Sequence, residues 1–454
     1  MKSKKVVAMI LAMVMIFASV ACGNQQTGQN PEGSEKSEDT AVSGNMDGSE
    51  EPDARSLSSE EPGDSGIDSR DAEDAGISKA AEVSGTNGSA SGRADDTGEP
   101  AEVTITDMIG REVTVAPGNY ERVVCIGAGA LRMYSYIGDT GLLCGVEDID
   151  NMTLEERPKM FDSVARPYTI AYGDVFGKLD SCGVGGPNAQ TAEAEKILAC
   201  SPDIVISEYE DVEKEDALQE QLGVPVITLK SGPDGVFDDA FGQSMALLGE
   251  VFGREERAAE LAAFIDAQRA DITERTAHIK KEDRPGVYIC GLGNWGTTNH
   301  LMTAQNYISF DIANVRNVVT DLEAPGIQPI EEEKFVALGG DMDIMIIDAA
   351  AVKNIAPLFK EDDTMFDACK AWKEGEVYLQ MAYNAYYTNY ETALINTWYI
   401  GKAVYPEAFA DIDMVAKTDE VTEMFLGKGL ADEIFAYPSS FGGYTKIDTA
   451  SFFR

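Results

Sequence analysis

Eight residues, Tyr383-Asn384-Ala385-Tyr386-Tyr387-Thr388-Asn389-Tyr390, hold four tyrosines. A phenol offers flat apolar area with one polar tip, which suits recognition of a ring or a bulky chelate rather than bond-making. The same run also suits a strand end packing against its own lobe, and both readings stand. Other residues of the recognition type are Gly129 in Gly127-Ala128-Gly129, Arg166 and Tyr168 in Arg166-Pro167-Tyr168, Asn188 after Gly185-Gly186-Pro187, Tyr209 beside Glu208, Trp295 after Asn294, and His300. Arg166 either pairs with an anionic ligand or is a surface loop residue. His300 serves either as a loop hydrogen-bonding group or as a metal ligand.

Histidine count narrows the chemistry. The chain has two, His278 and His300, whereas a site for bare zinc or manganese needs several His with carboxylate. A metal cargo would therefore arrive already complexed. Gly127-Ala128-Gly129 follows an apolar run, as a dinucleotide fingerprint does, but Arg132 stands where that pattern needs its third glycine. The sequence carries no Gly-x-Ser-x-Gly elbow, HExxH or P-loop. The six cysteines after Cys22 form no CxxC pair and are expected to be buried free thiols.

These residues need a scaffold, and the apolar pattern supplies one. The stretch 103–115 reads as a hairpin or an edge pair. Short apolar runs at 122–126, 141–146, 203–206 and 225–229 alternate with helical stretches at 131–137 and 192–199. The pattern restarts at 286–290, 343–347 and 377–379, followed by a helix over about 392–404. Such alternation predicts parallel sheets covered on both faces, with candidate loops at the strand ends. Between the two sets, residues 238–281 lack proline and keep helical periodicity. Gly249 and Gly253 are expected to split a short helix from one of roughly 27 residues, about 40 Å long.

The N-terminus sets the compartment. Lys2, Lys4 and Lys5 precede an apolar run and then Ser19-Val20-Ala21-Cys22-Gly23. That is a secretory signal, too short for a comfortable transmembrane helix, and the placement of Cys22 resembles a bacterial lipobox. Residues 23–100 are rich in small, polar and acidic types and contain no aromatic residue. They are expected to form a disordered tether spanning roughly 50 Å. The full chain carries 79 acidic against 36 basic residues, a formal net charge of −43. Nucleic acid, which requires clustered Lys and Arg, is excluded as a partner.

Several segments, in order, resemble the iron-chelate and vitamin B12 family of ABC-importer substrate-binding lipoproteins. They are Ile105-Thr106-Asp107-Met108-Ile109-Gly110-Arg111-Glu112-Val113, then Ala194-Glu195-Lys196-Ile197-Leu198 before Ser201-Pro202-Asp203-Ile204-Val205-Ile206. Glu333-Lys334-Phe335-Val336-Ala337-Leu338 before Asp343-Ile344-Met345-Ile346-Ile347 repeats that arrangement. The resemblance implies an α/β fold of two Rossmann-like lobes, with mostly parallel sheets, joined by a single long backbone helix. The expected layout is a signal peptide over 1–21, a tether over 22–100 lipidated at Cys22, a first lobe over 101–240, a bridging segment over 241–283 and a second lobe over 284–454.

The resemblance also implies function. The protein would be a monomer, not an enzyme, without a cofactor of its own. It would be anchored outside the cytoplasm through lipid on Cys22 and would pass a ferric chelate to an ABC permease and its ATPase. Haem, a corrinoid or a molybdate-type oxyanion stand as alternative cargoes. A dinucleotide-binding surface enzyme and an adhesin stand as alternatives of another class. Glu195 and Glu333 match, by position, the two glutamates that dock the lobes onto the permease.

Overall fold

In the computed structural model, residues 101–186, 189, 191–293 and 299–454 are described. The signal peptide and tether expected over 1–100, with Cys22, and the candidate residues Asn188 and Trp295 lie outside them. Strand β1 (Val103–Thr106) and strand β2 (Glu112–Val115) form an antiparallel hairpin. Ile105, Val113 and Val115 point into the core while their neighbours face water. Asp107 fastens the turn by accepting the Ile109 and Arg111 N–H groups at 3.2 and 2.9 Å.

The first lobe is built on β3 (Val123–Ile126), β4 (Leu143–Glu147), β5 (Asp180–Gly183), β6 (Ile204–Ser207) and β7 (Val226–Thr228). They lie in the order β5-β4-β3-β6-β7 and all run parallel. Helices α1 (Ala130–Ile137), α2 (Pro167–Phe176), α3 (Ala194–Ala199) and α4 (Val212–Leu222) connect them. Strand β3 is buried throughout, as a central parallel strand must be.

Helix α5 (Asp239–Phe252) ends at Gly253, whose φ of 63° is the left-handed conformation that terminates helices at little cost to glycine. Helix α6 (Glu255–Thr276) follows at once. Its 22 residues span about 33 Å, shorter than the sequence suggested. The early stop has a tertiary cause: the Asn314 side-chain amide donates to the carbonyls of Thr276 and Ile279 at 2.9 and 3.2 Å. Periodicity alone cannot reveal a cap supplied from another part of the chain.

The second lobe has β8 (Gly286–Cys290), β9 (Met302–Ala304), β10 (Arg316–Asn317), β11 (Ile327–Pro329), β12 (Ile344–Asp348), β13 (Val377–Gln380) and β14 (Thr445–Lys446). Its sheet has the order β10-β8-β12-β13-β14, parallel except for β14, and β9 pairs with β11 as a separate antiparallel ladder. Helices α7 (Ile308–Ile312), α8 (Glu332–Leu338), α9 (Val352–Glu361), α10 (Lys370–Glu374), α11 (Tyr390–Val404), α12 (Met414–Leu426) and α13 (Ala431–Phe435) complete it. The two main sheets are separate, as expected.

One part of the expected layout is redrawn by packing. Helix α12 belongs in sequence to the second lobe, yet it lies against α1 and α2 of the first and along α6. The Tyr172 hydroxyl donates to Leu426 O at 2.7 Å, and Gln268 on α6 donates to Glu420 at 3.0 Å. Phe425 meets Tyr136 edge to face at 5.0 Å. One continuous apolar core therefore contains residues of both lobes and of α6.

The six described cysteines are unpaired, five of them buried. Beside two of them, a Cβ on Gly145 would sit 2.6 Å from the Cys200 sulfur and 3.1 Å from the Cys182 Cβ. Gly145→Ala is therefore expected to destabilise the first lobe by about 1–3 kcal/mol through overpacking. Urea unfolding checks this, and an unchanged midpoint would contradict the packing described.

Candidate functional site

A parallel sheet delivers all its strands' carboxyl ends to one edge, and ligands bind where the strand order reverses. In the first sheet that reversal lies between β3 and β6, and in the second between β8 and β12. After β3 comes Gly127-Ala128-Gly129. Gly129 caps α1 with φ 111° and no side-chain cap. A Cβ there would lie 3.4 Å from Glu208 Oε1, just past β6, and 3.7 Å from the Tyr387 Cβ. Those distances would admit a Cβ, so it is the φ of 111° rather than the space that calls for glycine here.

The tyrosine run is a loop that crosses from the second lobe to the first. It leaves β13, is pinched by an isolated Asn384–Thr388 bridge, and is held by the Ala385 N–H donating to Tyr387 O at 3.0 Å. Tyr386 and Tyr387 have φ of 50° and 70°. Two successive aromatic residues in the left-handed region are strained, by about 1–3 kcal/mol each. The strain is offset by contacts across the lobes. The Tyr386 hydroxyl donates to Glu147 Oε2 at 2.6 Å and accepts the Gly186 N–H at 3.1 Å. Arg132 on α1 donates to Ala385 O at 2.9 Å, and Tyr136 hydrogen-bonds Glu391 at the start of α11. The loop thus touches the strand-end loops after β3, β4 and β5.

The acids on these rims are shifted upward. Burial raises the Glu147 carboxyl to about 7, against the lowering effect of its bonds from Tyr386 and the Gly127 N–H. Burial raises Asp348, at the end of β12, to about 7 as well, despite bonds from the Ala350 N–H and Gln380. Glu208 is pushed well above its ordinary value by burial and by Glu210.

The structure brings Gly129, Tyr386 and Tyr387 together at the lobe boundary. Tyr383 lies beside Tyr307 and Asp348 in the second lobe. Tyr209 is half-buried and donates to Ala189 O at 3.1 Å. Arg166 and Tyr168 are engaged inside the first lobe: both bond Asp150, and the Tyr168 hydroxyl does so at 2.6 Å. His300 packs edge to face on Phe335 and Phe366, with Nε2 3.2 Å from Glu332. Burial lowers its pKa. Glu195 and Glu333 are both exposed, each second in a short helix, α3 and α8, that precedes a central strand.

Arg132, which stands where a dinucleotide fingerprint needs its third glycine, also reaches this boundary. An arginine inside the otherwise apolar stretch Ala130-Leu131-Arg132-Met133 was the available signal. Here it is fully buried, its guanidinium 4.7 Å above the Tyr168 ring.

Two parallel sheets whose strand-end loops meet at one boundary loop define a protein of the two-lobe binding class. Residues 123–382 match the periplasmic binding protein family, and the chain belongs to that family, the substrate-binding proteins of ABC importers. The molybdate-binding protein MolA of Haemophilus influenzae is 21% identical over 351 residues, 72% of this chain and 91% of MolA. The structure of MolA bound to molybdate superposes with a TM-score of 0.55 at 18% identity, covering 72% of this chain and 98% of that one. A periplasmic solute binding protein from Veillonella parvula gives 0.57 at 18% identity, over 74% and 96%. The TroA-like periplasmic binding protein FepB from the same organism gives 0.52 at 21% identity, over 72% and 97%. The family works outside the cytoplasm with a permease and an ATPase as partners, and its members are not enzymes. Among the described residues no helix is long and apolar enough to cross a membrane.

The rim acids make stability depend on pH. Their folded-state values of about 7 lie above the ordinary 4.5 for Glu147 and 3.8 for Asp348. The folded state therefore holds their protons longer than the unfolded chain does. Stability is fully present below about pH 4 and falls as pH rises through 7, by roughly 3–4 kcal/mol per group. Glu147→Gln and Asp348→Asn should each flatten this slope in thermal melts between pH 4 and 8. A slope unchanged in both variants would place its origin elsewhere.

Proposed function

We propose that this chain is the lipid-anchored receptor of an ABC importer and that its cargo is a metal carried as an anion. The observation that carries the reading is the Asn384–Thr388 loop, which joins both strand-end rims into one boundary lined by polar and aromatic groups. Two sources share this chemistry. A molybdate-type oxyanion is favoured by the similarity to MolA along 91% of that protein. A ferric chelate, the expectation from sequence, is favoured by the concentration of tyrosines at the boundary. Among the described residues no group of three or more His, Cys, Asp or Glu is placed to hold a bare ion. Cys22 would carry the lipid. Glu195 and Glu333 would meet permease arginines through charge-assisted bonds.

Native mass spectrometry of protein from its own host, with titration calorimetry against sodium molybdate and ferric citrate, tests the cargo. A bound metal-containing anion is expected. Binding of NAD together with silence toward every metal species would favour the dinucleotide alternative. Haem or a corrinoid in the spectrum would replace the anion reading. The double variant Glu195→Lys, Glu333→Lys should lose uptake and keep ligand affinity; normal uptake would remove these residues from docking. Cys22→Ser should move the protein from the membrane fraction to the soluble one.

A further inference from the structure

Arg132 is a buried cation without a settled partner. It is fully shielded from solvent, always charged at physiological pH, and bonded through Nη2 to Ala385 O, while Nε and Nη1 have no hydrogen-bond partner among the described residues. Buried donors left unpaired are rare in folded proteins and call for an explanation, the more so on a charged group. The groups around it come from several elements. Glu208 stands on the loop after β6, with Oε1 also unpaired; Tyr390 and Glu391 stand at the start of α11; Tyr136 lies on α1 and Tyr168 on α2. Gly129 opens α1 one turn before Arg132, so the helix's own N-terminus faces Glu208.

We infer that the two unpaired edges of Arg132 receive the negatively charged group of the cargo, and that Glu208, across Gly129, sets the charge this group must carry. The inference rests on the anionic-cargo reading above and names the contact within it.

The charge balance supports it. Burial holds both Glu208 and Glu391 toward their protonated forms. In that state the guanidinium has no fixed counter-charge, and an anion of the cargo supplies one. A protonated Glu208 also offers an O–H to an anion oxygen. Once ionised, Glu208 would claim the Arg132 charge itself and repel the cargo. The groups that face Glu208 are Glu210, Lys230, Arg132, Tyr387 and Tyr390. Glu210 and Lys230 pair with each other at 2.7 Å, which leaves Arg132 as the cation that an ionised Glu208 would take.

The experiment is calorimetric titration of the full chain with sodium molybdate and with ferric citrate from pH 6 to 9. Wild type should bind more weakly as pH rises. Arg132→Gln should weaken binding by about 100-fold, with folding checked by its thermal midpoint. If that variant does not fold, Arg132→Lys keeps the charge and loses the planar fork, with an expected loss of about 10-fold. Glu208→Gln should retain the low-pH affinity and bind with a shallower pH slope, the remainder belonging to Glu147 and Asp348. Folded Arg132→Gln or Arg132→Lys binding as wild type does, or Glu208→Gln keeping the wild-type slope, would overturn the inference while leaving the anionic reading intact. Wild type binding neither anion at any pH would sink that reading and this inference with it.

Discussion

The structure depends on how polar groups are satisfied where two sheets meet. Parallel strands crowd their carboxyl ends, and the loops that follow them, onto one rim. When two such rims adjoin, side chains that would face water in an isolated lobe are shielded. A shielded polar group must find a partner or carry a penalty. Tyr386 meets this demand for Glu147, as Ala385 does for one nitrogen of Arg132. The remaining nitrogens of Arg132 and an oxygen of Glu208 have no partner among the described residues. Among the described residues the boundary is therefore satisfied only in part.

The strained pair Tyr386–Tyr387 belongs to the same logic. A relaxed loop would not project two consecutive aromatic side chains at this angle. The left-handed backbone aims the Tyr386 hydroxyl past its own lobe into the crevice between Glu147 and the Gly186 N–H. The narrow Asn384–Thr388 bridge and the Asn389 N–H bond to Tyr383 O at 2.7 Å keep the loop from relaxing. Strain held in place by neighbouring contacts is characteristic of ligand clamps.

Much of the fold was legible because its signals are local. The opening hairpin, the runs that became β3, β6, β8, β12 and β13, and the helix break at Gly253 all follow from apolar period and glycine placement. Strand β5, with the sequence Asp180-Ser181-Cys182-Gly183, has no such signal; it is a strand because β4 offers it an edge. The site was legible only in outline. Tyrosines and glycines announced the rim, but nothing in the chain tells Arg166, which bonds Asp150, from Arg132, two of whose nitrogens have no partner among the described residues. That difference is tertiary. His300 illustrates the converse: a rare residue type drew notice, while its surroundings are Phe335 and Phe366.

The return of α12 to the first lobe bears on movement. A protein of two lobes joined by one helix could open by bending that helix alone. Here the chain crosses again after α11, and α12 is fixed to both α2 and α6 through Leu426 and Glu420. Opening the rims must either carry α12 along with the first lobe or break those bonds together with the Tyr136–Phe425 contact. Either course breaks buried contacts, because α12 also packs on α11 and the stretch between Val404 and Met414 is itself tied to α6, where Arg275 donates to Ala408 O at 3.0 Å and pairs with Asp411. On that argument α6 and α12 brace the lobes together, and separating the rims is opposed along both.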